Sequence, residues 1–131
     1  MIVLDTHVWL WWLSNPEKLS SNANQSIEHA VNNNEVYVSS ISAWEIAMLV
    51  QRGRLELTID VKDWIAIAES LPYLHFVPVN NRIAVKSVHL PDFSYADPAD
   101  RIIIATAMSL KAALITKDDR ILSYPQVKAI W

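Results

Sequence analysis

Five short runs rich in β-branched residues, MIVL, EVYVS, HFVPV, ALIT and VKAIW, are spread along the chain, most of them separated by longer stretches of helical spacing. Alternation of this kind predicts a mainly parallel sheet with helices on both faces, because each strand must return past a crossover before it can pair. The first run leads into a short helix, THVWLWWL, ended by SNPEK, where Ser14, Asn15 and Pro16 are turn formers. A polar helix around 20–33 closes in NNN, and EVYVS follows, bounded by Ser40. SAWEIAMLVQRG has helical spacing with Gly53 where a C-cap glycine belongs, and VKDWIAIAESL is a further amphipathic helix. Pro78 assigns HFVPV to a sheet edge or a strand end. NNRIAVKSVHL reads as helix, PDFSYA as loop, and DPADRIIIATAMSLKA as the clearest helix, with Asp97 as N-cap and Pro98 at its first position.

Composition removes several classes of function. A chain of 131 residues with half of them hydrophobic can bury a core as one domain, and no repeat, linker or low-complexity tract divides residues 1–131. Gly53 is the single glycine, so neither a P-loop nor a dinucleotide fingerprint can be built. There is no cysteine, which excludes disulfides, thiolate nucleophiles and zinc–thiolate sites. A net charge of −3 argues against coating nucleic acid by bulk charge, but leaves a nuclease open, since bound cations reverse a local field. The apolar N-terminus lacks a basic region and a small-residue cleavage site, and no segment approaches the ~20 apolar residues of a membrane span. The expectation is a cytoplasmic protein with no membrane association.

Parallel sheets bind ligands beyond the carboxyl ends of their strands. Asp5 ends the first strand, Glu45 follows the second strand in a first helical turn, Asp100 opens the DPADR helix, and Asp118 follows ALIT. All four are expected at one edge. Each also has a purely structural reading. Asp5 can cap the next helix, Ser42 to Glu45 fits a capping box, Asp100 favours a helix dipole, and Asp118 and Asp119 suit a turn. Four acids gathered together repel and need a cation, and all-oxygen ligands suit Mg²⁺ or Mn²⁺. The chemistry such a site supports is metal-assisted phosphodiester hydrolysis.

LDTHVWLWWL, ISAWEIA, DPADRIIIATA and LITKDDRI together resemble the PIN-domain ribonucleases, specifically the VapC-type toxins of bacterial toxin–antitoxin pairs, and the likeness runs from Met1 to Trp131. The resemblance implies a three-layer α/β/α PIN-like domain and an endoribonuclease using Mg²⁺ or Mn²⁺. It assigns the metal site to Asp5, Glu45, Asp100 and Asp118, with the Thr116 hydroxyl in support. It also implies an RNA substrate, a homodimer and a cognate antitoxin. The third box departs at Ala99, where an aromatic is common. The doublet leaves Asp118 and Asp119 to be separated, and the T-x-D spacing from Thr116 favours Asp118; Asp97 is read as a cap.

Arg101, Lys117 and Arg120 flank the acids and are candidates for RNA phosphates, with a solvated charged face as the alternative. His7 near Asp5 is a candidate general base, but metal-bound water needs no histidine, and the residue is expected to point elsewhere on its helix. Trp9 and Trp12 share a helix face that Trp11 leaves; core packing accounts for one or two of these rings, and an exposed remainder would suit a partner groove or a stacked base. Two other classes fit the sequence less well. A phospho-acceptor receiver domain wants an acidic pair after its first strand, and VLDTH supplies one acid; an inactive PIN-like interaction module has no need of all four acids.

Overall fold

The computed structural model describes every residue, Met1–Trp131. Its elements run β1 (Ile2–Leu4), α1 (Thr6–Ser14), a 3₁₀ turn (Pro16–Lys18), α2 (Ser21–Asn32), β2 (Val36–Ser39), α3 (Ser40–Gln51), α4 (Val61–Glu69), β3 (Leu74–Val77), α5 (Asn81–Val88), α6 (Pro98–Leu110), β4 (Ala113–Ile115), α7 (Asp119–Leu122) and β5 (Ala129–Ile130). The strands form one sheet of order β3-β2-β1-β4-β5. Every adjacent pair is parallel. Chain order reverses at β1, which has β2 on one side and β4 on the other, so the topological switch point falls at its carboxyl end. β3 is an edge strand with Pro78 immediately beyond it, where its missing N–H costs no ladder bond.

Strand alternation produces the three layers. Ile2 and Leu4 of β1, Val36 and Val38 of β2, and Ile115 of β4 enter one core with Trp9, Ile27 and Ile46. Val3 and Leu114 face the other way, into a second core with Ile83, Ile103, Ile104 and Ile121. Most of these side chains are fully buried, each worth about 1.5–3 kcal/mol relative to exposure. Trp9 is wholly enclosed, with Trp64 at 4.7 Å and Phe76 at 5.5 Å between ring centroids. Trp12 is half-buried against Tyr73, and Trp11 half-buried against Trp131. No helix is long and apolar enough to cross a membrane.

Helix starts follow local chemistry. Asp97 accepts from the Asp100 N–H with Pro98 in the first turn, and Gly53 takes φ +70° just past α3. One start differs from expectation. The N-cap of α3 is Ser39, whose hydroxyl accepts from the Ile41 N–H, so the helix begins before Ser42. Glu45 therefore lies beyond the first turn, and the Ser42–Glu45 capping box is not made.

Arg101 holds the connection between α5 and α6. Its Nε donates to the Ser87 carbonyl at 2.8 Å and its Nη2 to that of Val88 at 3.2 Å. These carbonyls end α5 and lack helical partners. Its Nη1 donates to Phe93 O at 2.8 Å and Tyr95 O at 2.7 Å, and the guanidinium lies over the Phe93 ring. Arg101→Ala should therefore cost about 1.5–3 kcal/mol in urea unfolding, and Arg101→Lys should recover little of it, because an ammonium cannot span the four carbonyls. A loss under about 0.5 kcal/mol, the level of an ordinary surface change, would contradict this.

Candidate active site

Asp5 continues the β1 ladder through its backbone, its N–H donating to Ile115 O at 3.0 Å. Its side chain does two things. Oδ1 accepts from the Thr6 N–H at 2.8 Å as the α1 N-cap, and Oδ2 accepts from Thr116 Oγ1 at 2.7 Å. Capping and membership of an acidic group are thus compatible in one carboxylate. Thr116, fully buried just past β4, also accepts from the Asp118 N–H at 3.1 Å, so a single hydroxyl ties the ends of two neighbouring strands together.

Glu45 reaches the same edge from α3. Its Oε1 accepts from Thr6 Oγ1, and Ser42 Oγ lies 2.8 Å from that same Thr6 oxygen. A threonine hydroxyl has one proton; with Glu45 ionised as the acceptor, Ser42 donates to Thr6 in turn. Thr6 and Ser42 are buried and orient Glu45. The sequence reading did not single out Thr6, and it gave Ser42 the wrong task. The available signal was a hydroxyl residue directly after the strand-end acid.

Asp100 and Asp118 complete the group from the starts of α6 and α7. Asp118 is the α7 N-cap, accepting from the Arg120 N–H at 2.9 Å. Arg120 folds back between them, Nη2 donating to Asp100 Oδ2 at 2.8 Å and Asp118 Oδ2 at 2.6 Å. Asp5, Glu45, Asp97, Asp100 and Asp118 line one open cleft of about 470 Å³, with Lys117 and Arg120 on its walls. Asp119 is exposed on the first residue of α7 and does not line the cleft. Neither does Arg101, whose guanidinium is committed to four carbonyls; it is not a free phosphate contact, and the RNA expectation for it is withdrawn. Lys117 is exposed, its Nζ 5.8 Å from the Trp11 ring centroid. His7 does not point away as expected: exposed and 5.9 Å from the same ring, it lines the cleft beside Asp5.

The electrostatics are strained. Burial pushes the carboxyls of Asp5 and Glu45 above the usual range, outweighing the hydrogen bonds from Thr116 and Thr6 respectively. Burial, with the like charges of Asp97 and Asp5, drives Asp100 up to about 7, and Arg120 offsets only part of this. Asp118 goes the other way, held low by its hydrogen bond with Arg120. The donor set is all oxygen and net acidic, which fits a hard divalent cation and no soft one. No three of the acids converge on one point as a finished coordination shell. Mg²⁺ asks for one or two carboxylates and keeps water on the rest of its shell, which an open acidic cleft allows.

The profile of the PIN domain matches residues 2–127. Ribonuclease VapC22 of Mycobacterium tuberculosis is 38% identical over 132 residues, spanning 99% of this chain and 98% of that protein. Among solved structures, VapBC2 from Rickettsia felis bound to a promoter DNA fragment aligns with a TM-score of 0.74 at 17% identity, over 99% of this chain and 98% of that one. FitAcB from Neisseria gonorrhoeae aligns at 0.68 and 22% identity, over 100% and 97%. A toxin–antitoxin complex from Klebsiella pneumoniae gives 0.66 at 19%, over 100% and 97%. At these identities the structures speak for the fold, a five-stranded parallel sheet between helical layers.

The raised Asp100 carboxyl has a consequence for stability. The folded state binds its proton more tightly than the unfolded chain, where the ordinary value is 3.8. Its stabilising contribution is complete below that value and is lost as pH rises through about 7. In chelator, thermal melts should fall between pH 5 and pH 8, and Asp100→Asn should flatten that slope. An unchanged slope in the variant would contradict the shift.

Proposed function

The chain belongs to the PIN-domain family, and from that premise we propose that it is a divalent-metal-dependent endoribonuclease acting as the toxin of a toxin–antitoxin pair. The observation that carries this reading is the gathering of Asp5, Glu45, Asp100 and Asp118 in one cleft at the switch point of the sheet. The 38% identity to a named ribonuclease over nearly the whole chain supports RNA as the substrate.

In this reading the four acids would hold Mg²⁺ or Mn²⁺. When bound, the cation supplies Lewis acidity at a phosphoryl oxygen and makes water a competent nucleophile near neutral pH. The protein's own share is orientation. Thr116 and the Thr6 N–H fix both oxygens of Asp5, and Thr6, backed by Ser42, fixes Glu45. These hydroxyls are buried, so the acids hold their positions before any ligand arrives. Lys117, exposed at the wall of the cleft, offers a point charge to an RNA phosphate.

The partners follow from what the fold leaves uncovered. An apolar groove of about 720 Å³, walled by Trp11, Leu57, Ile59, Trp64 and Ile67, suits the apolar face of an antitoxin segment. Trp11 forms part of both this groove and the acidic cleft, so a segment seated in the groove runs up to the catalytic edge. That a chain of the same fold occurs in a toxin–antitoxin complex from Klebsiella pneumoniae supports an antitoxin as the partner. Trp44 on α3 and Val85 and Val88 on α5 are exposed, and they are apolar surface for a second copy of the chain. An RNA-cleaving toxin with these partners acts in the cytoplasm.

Asp5→Asn should retain the wild-type melting temperature in chelator within a few degrees, since Asn caps a helix nearly as well as Asp. It should cleave mixed cellular RNA at least about a hundredfold more slowly, the scale of losing one stabiliser of transition-state charge. Chelator should abolish wild-type cleavage and added Mg²⁺ or Mn²⁺ should restore it. Cleavage by Asp5→Asn at the wild-type rate, or in chelator, would contradict the proposal.

A further inference from the structure

Arg120 is the guanidinium that stands among the cleft acids, and it is held by more than one of them. Nη2 bridges Asp100 Oδ2 at 2.8 Å and Asp118 Oδ2 at 2.6 Å, while Nε reaches Asp118 Oδ1 at 3.0 Å. The bond to Asp118 is therefore bidentate, the strong form of this pairing. Its face lies over the ring of Tyr95, 5.0 Å from the centroid. That ring belongs to a loop anchored by Arg101 through the Tyr95 carbonyl. The Arg120 side chain is 41% exposed, so these contacts hold it and packing does not. Nothing in the fold prevents it from swinging out into solvent.

Asp100 and Asp118 come from different elements, α6 and the β4–α7 connection, and each is a short side chain whose charge repels the other. Lys117 lines the same cleft, but Arg120 is the cation that is paired directly with the two acids. A guanidinium and a divalent cation cannot both sit against the same oxygens of the same two carboxylates, because they compete for lone pairs and repel each other. Building on the metal-dependent reading above, we propose that Arg120 is an internal counter-cation of the metal-free site. It holds Asp100 and Asp118 together when no divalent ion is bound, must release them for the ion to enter, and so sets the affinity of the site. The protein thereby stays folded without metal, at the cost of weaker metal binding. The Tyr95 ring gives the displaced guanidinium an adjacent surface on which its charge is still favoured.

Isothermal titration of Mn²⁺ into the chelator-stripped full-length chain, with no RNA present, tests this on wild type, Arg120→Gln and Arg120→Lys. Thermal melts of the same proteins in chelator accompany it. Arg120→Gln should bind Mn²⁺ about tenfold more tightly than wild type, within the usual range of coupling between two binding events. It should melt lower than wild type in chelator and regain most of the loss in saturating Mn²⁺. Arg120→Lys keeps a charge but not the fork, and should fall between the two in both measurements. It also carries the test if the glutamine variant does not fold. Equal or weaker Mn²⁺ binding by folded variants would overturn the counter-cation role while leaving the metal site intact. No Mn²⁺ binding by any of the three proteins would overturn the metal-dependent reading, and this inference with it.

Discussion

The hydrogen bond from Thr116 to Asp5 joins the end of the central strand β1 to that of its neighbour β4, and the geometry of the cleft depends on it. A carboxylate at the end of the innermost strand has lost much of its water and must be repaid by hydrogen bonds or a cation. Asp5 has two, one from its own helix start and one from the neighbouring strand. The Thr116 hydroxyl accepts from the Asp118 N–H at the same time, so the position of the second acid is coupled to that of the first. Parallel pairing of β1 with β4, with Leu4 level with Ile115, is what brings the two residues opposite one another.

The cleft is a local conflict inside an otherwise consistent fold. The strands alternate their faces into two apolar cores, and every α-helix starts at an Asp, Ser or Asn side-chain cap. At the carboxyl edge, by contrast, burial and like charge raise three carboxyls, and a single arginine pulls the fourth down. Such conflict reduces stability and is retained where function requires it. The surrounding structure is built to tolerate it. Buried Thr6 and Ser42 lock Glu45, Asp97 caps the helix that carries Asp100, and Arg101 spends its whole guanidinium on the end of α5 and the loop leading from it to that helix.

Much of this was legible in the sequence because it rests on local rules. Asp97-Pro98 marks a helix start whatever surrounds it, and Asp5 after an apolar run marks a strand end. The T-x-D spacing favours Asp118 over Asp119, and in the fold Asp118 lines the cleft whereas Asp119 is exposed outside it. What was not legible depends on contacts between distant segments. Ser39 rather than Ser42 caps α3; both are serines, and what separates them is that β2 stays paired with β3 as far as Ser39–Val77 and the helix starts at the next residue. Thr6 and Ser42 lie 36 residues apart and meet only because β1 and β2 are neighbours. Arg101 looks like an RNA contact until the carbonyls of the preceding loop are in place, and Arg120 like a surface charge until α7, too short to have been read, turns it back onto the acids. The positive φ of Lys111, 54° at the end of α6, likewise carries no glycine to announce it.

The central claim is that these acids form the seat of a divalent ion. The most direct measurement is an anomalous difference map from crystals grown or soaked in Mn²⁺, collected where manganese scatters anomalously. The account predicts a peak in the cleft within coordinating distance, about 2.0–2.2 Å, of carboxylate oxygens from at least one of Asp5, Glu45, Asp100 and Asp118, with the Arg120 guanidinium moved off Asp100. A fully loaded crystal with no peak in the cleft and Arg120 still bridging Asp100 and Asp118 would contradict it.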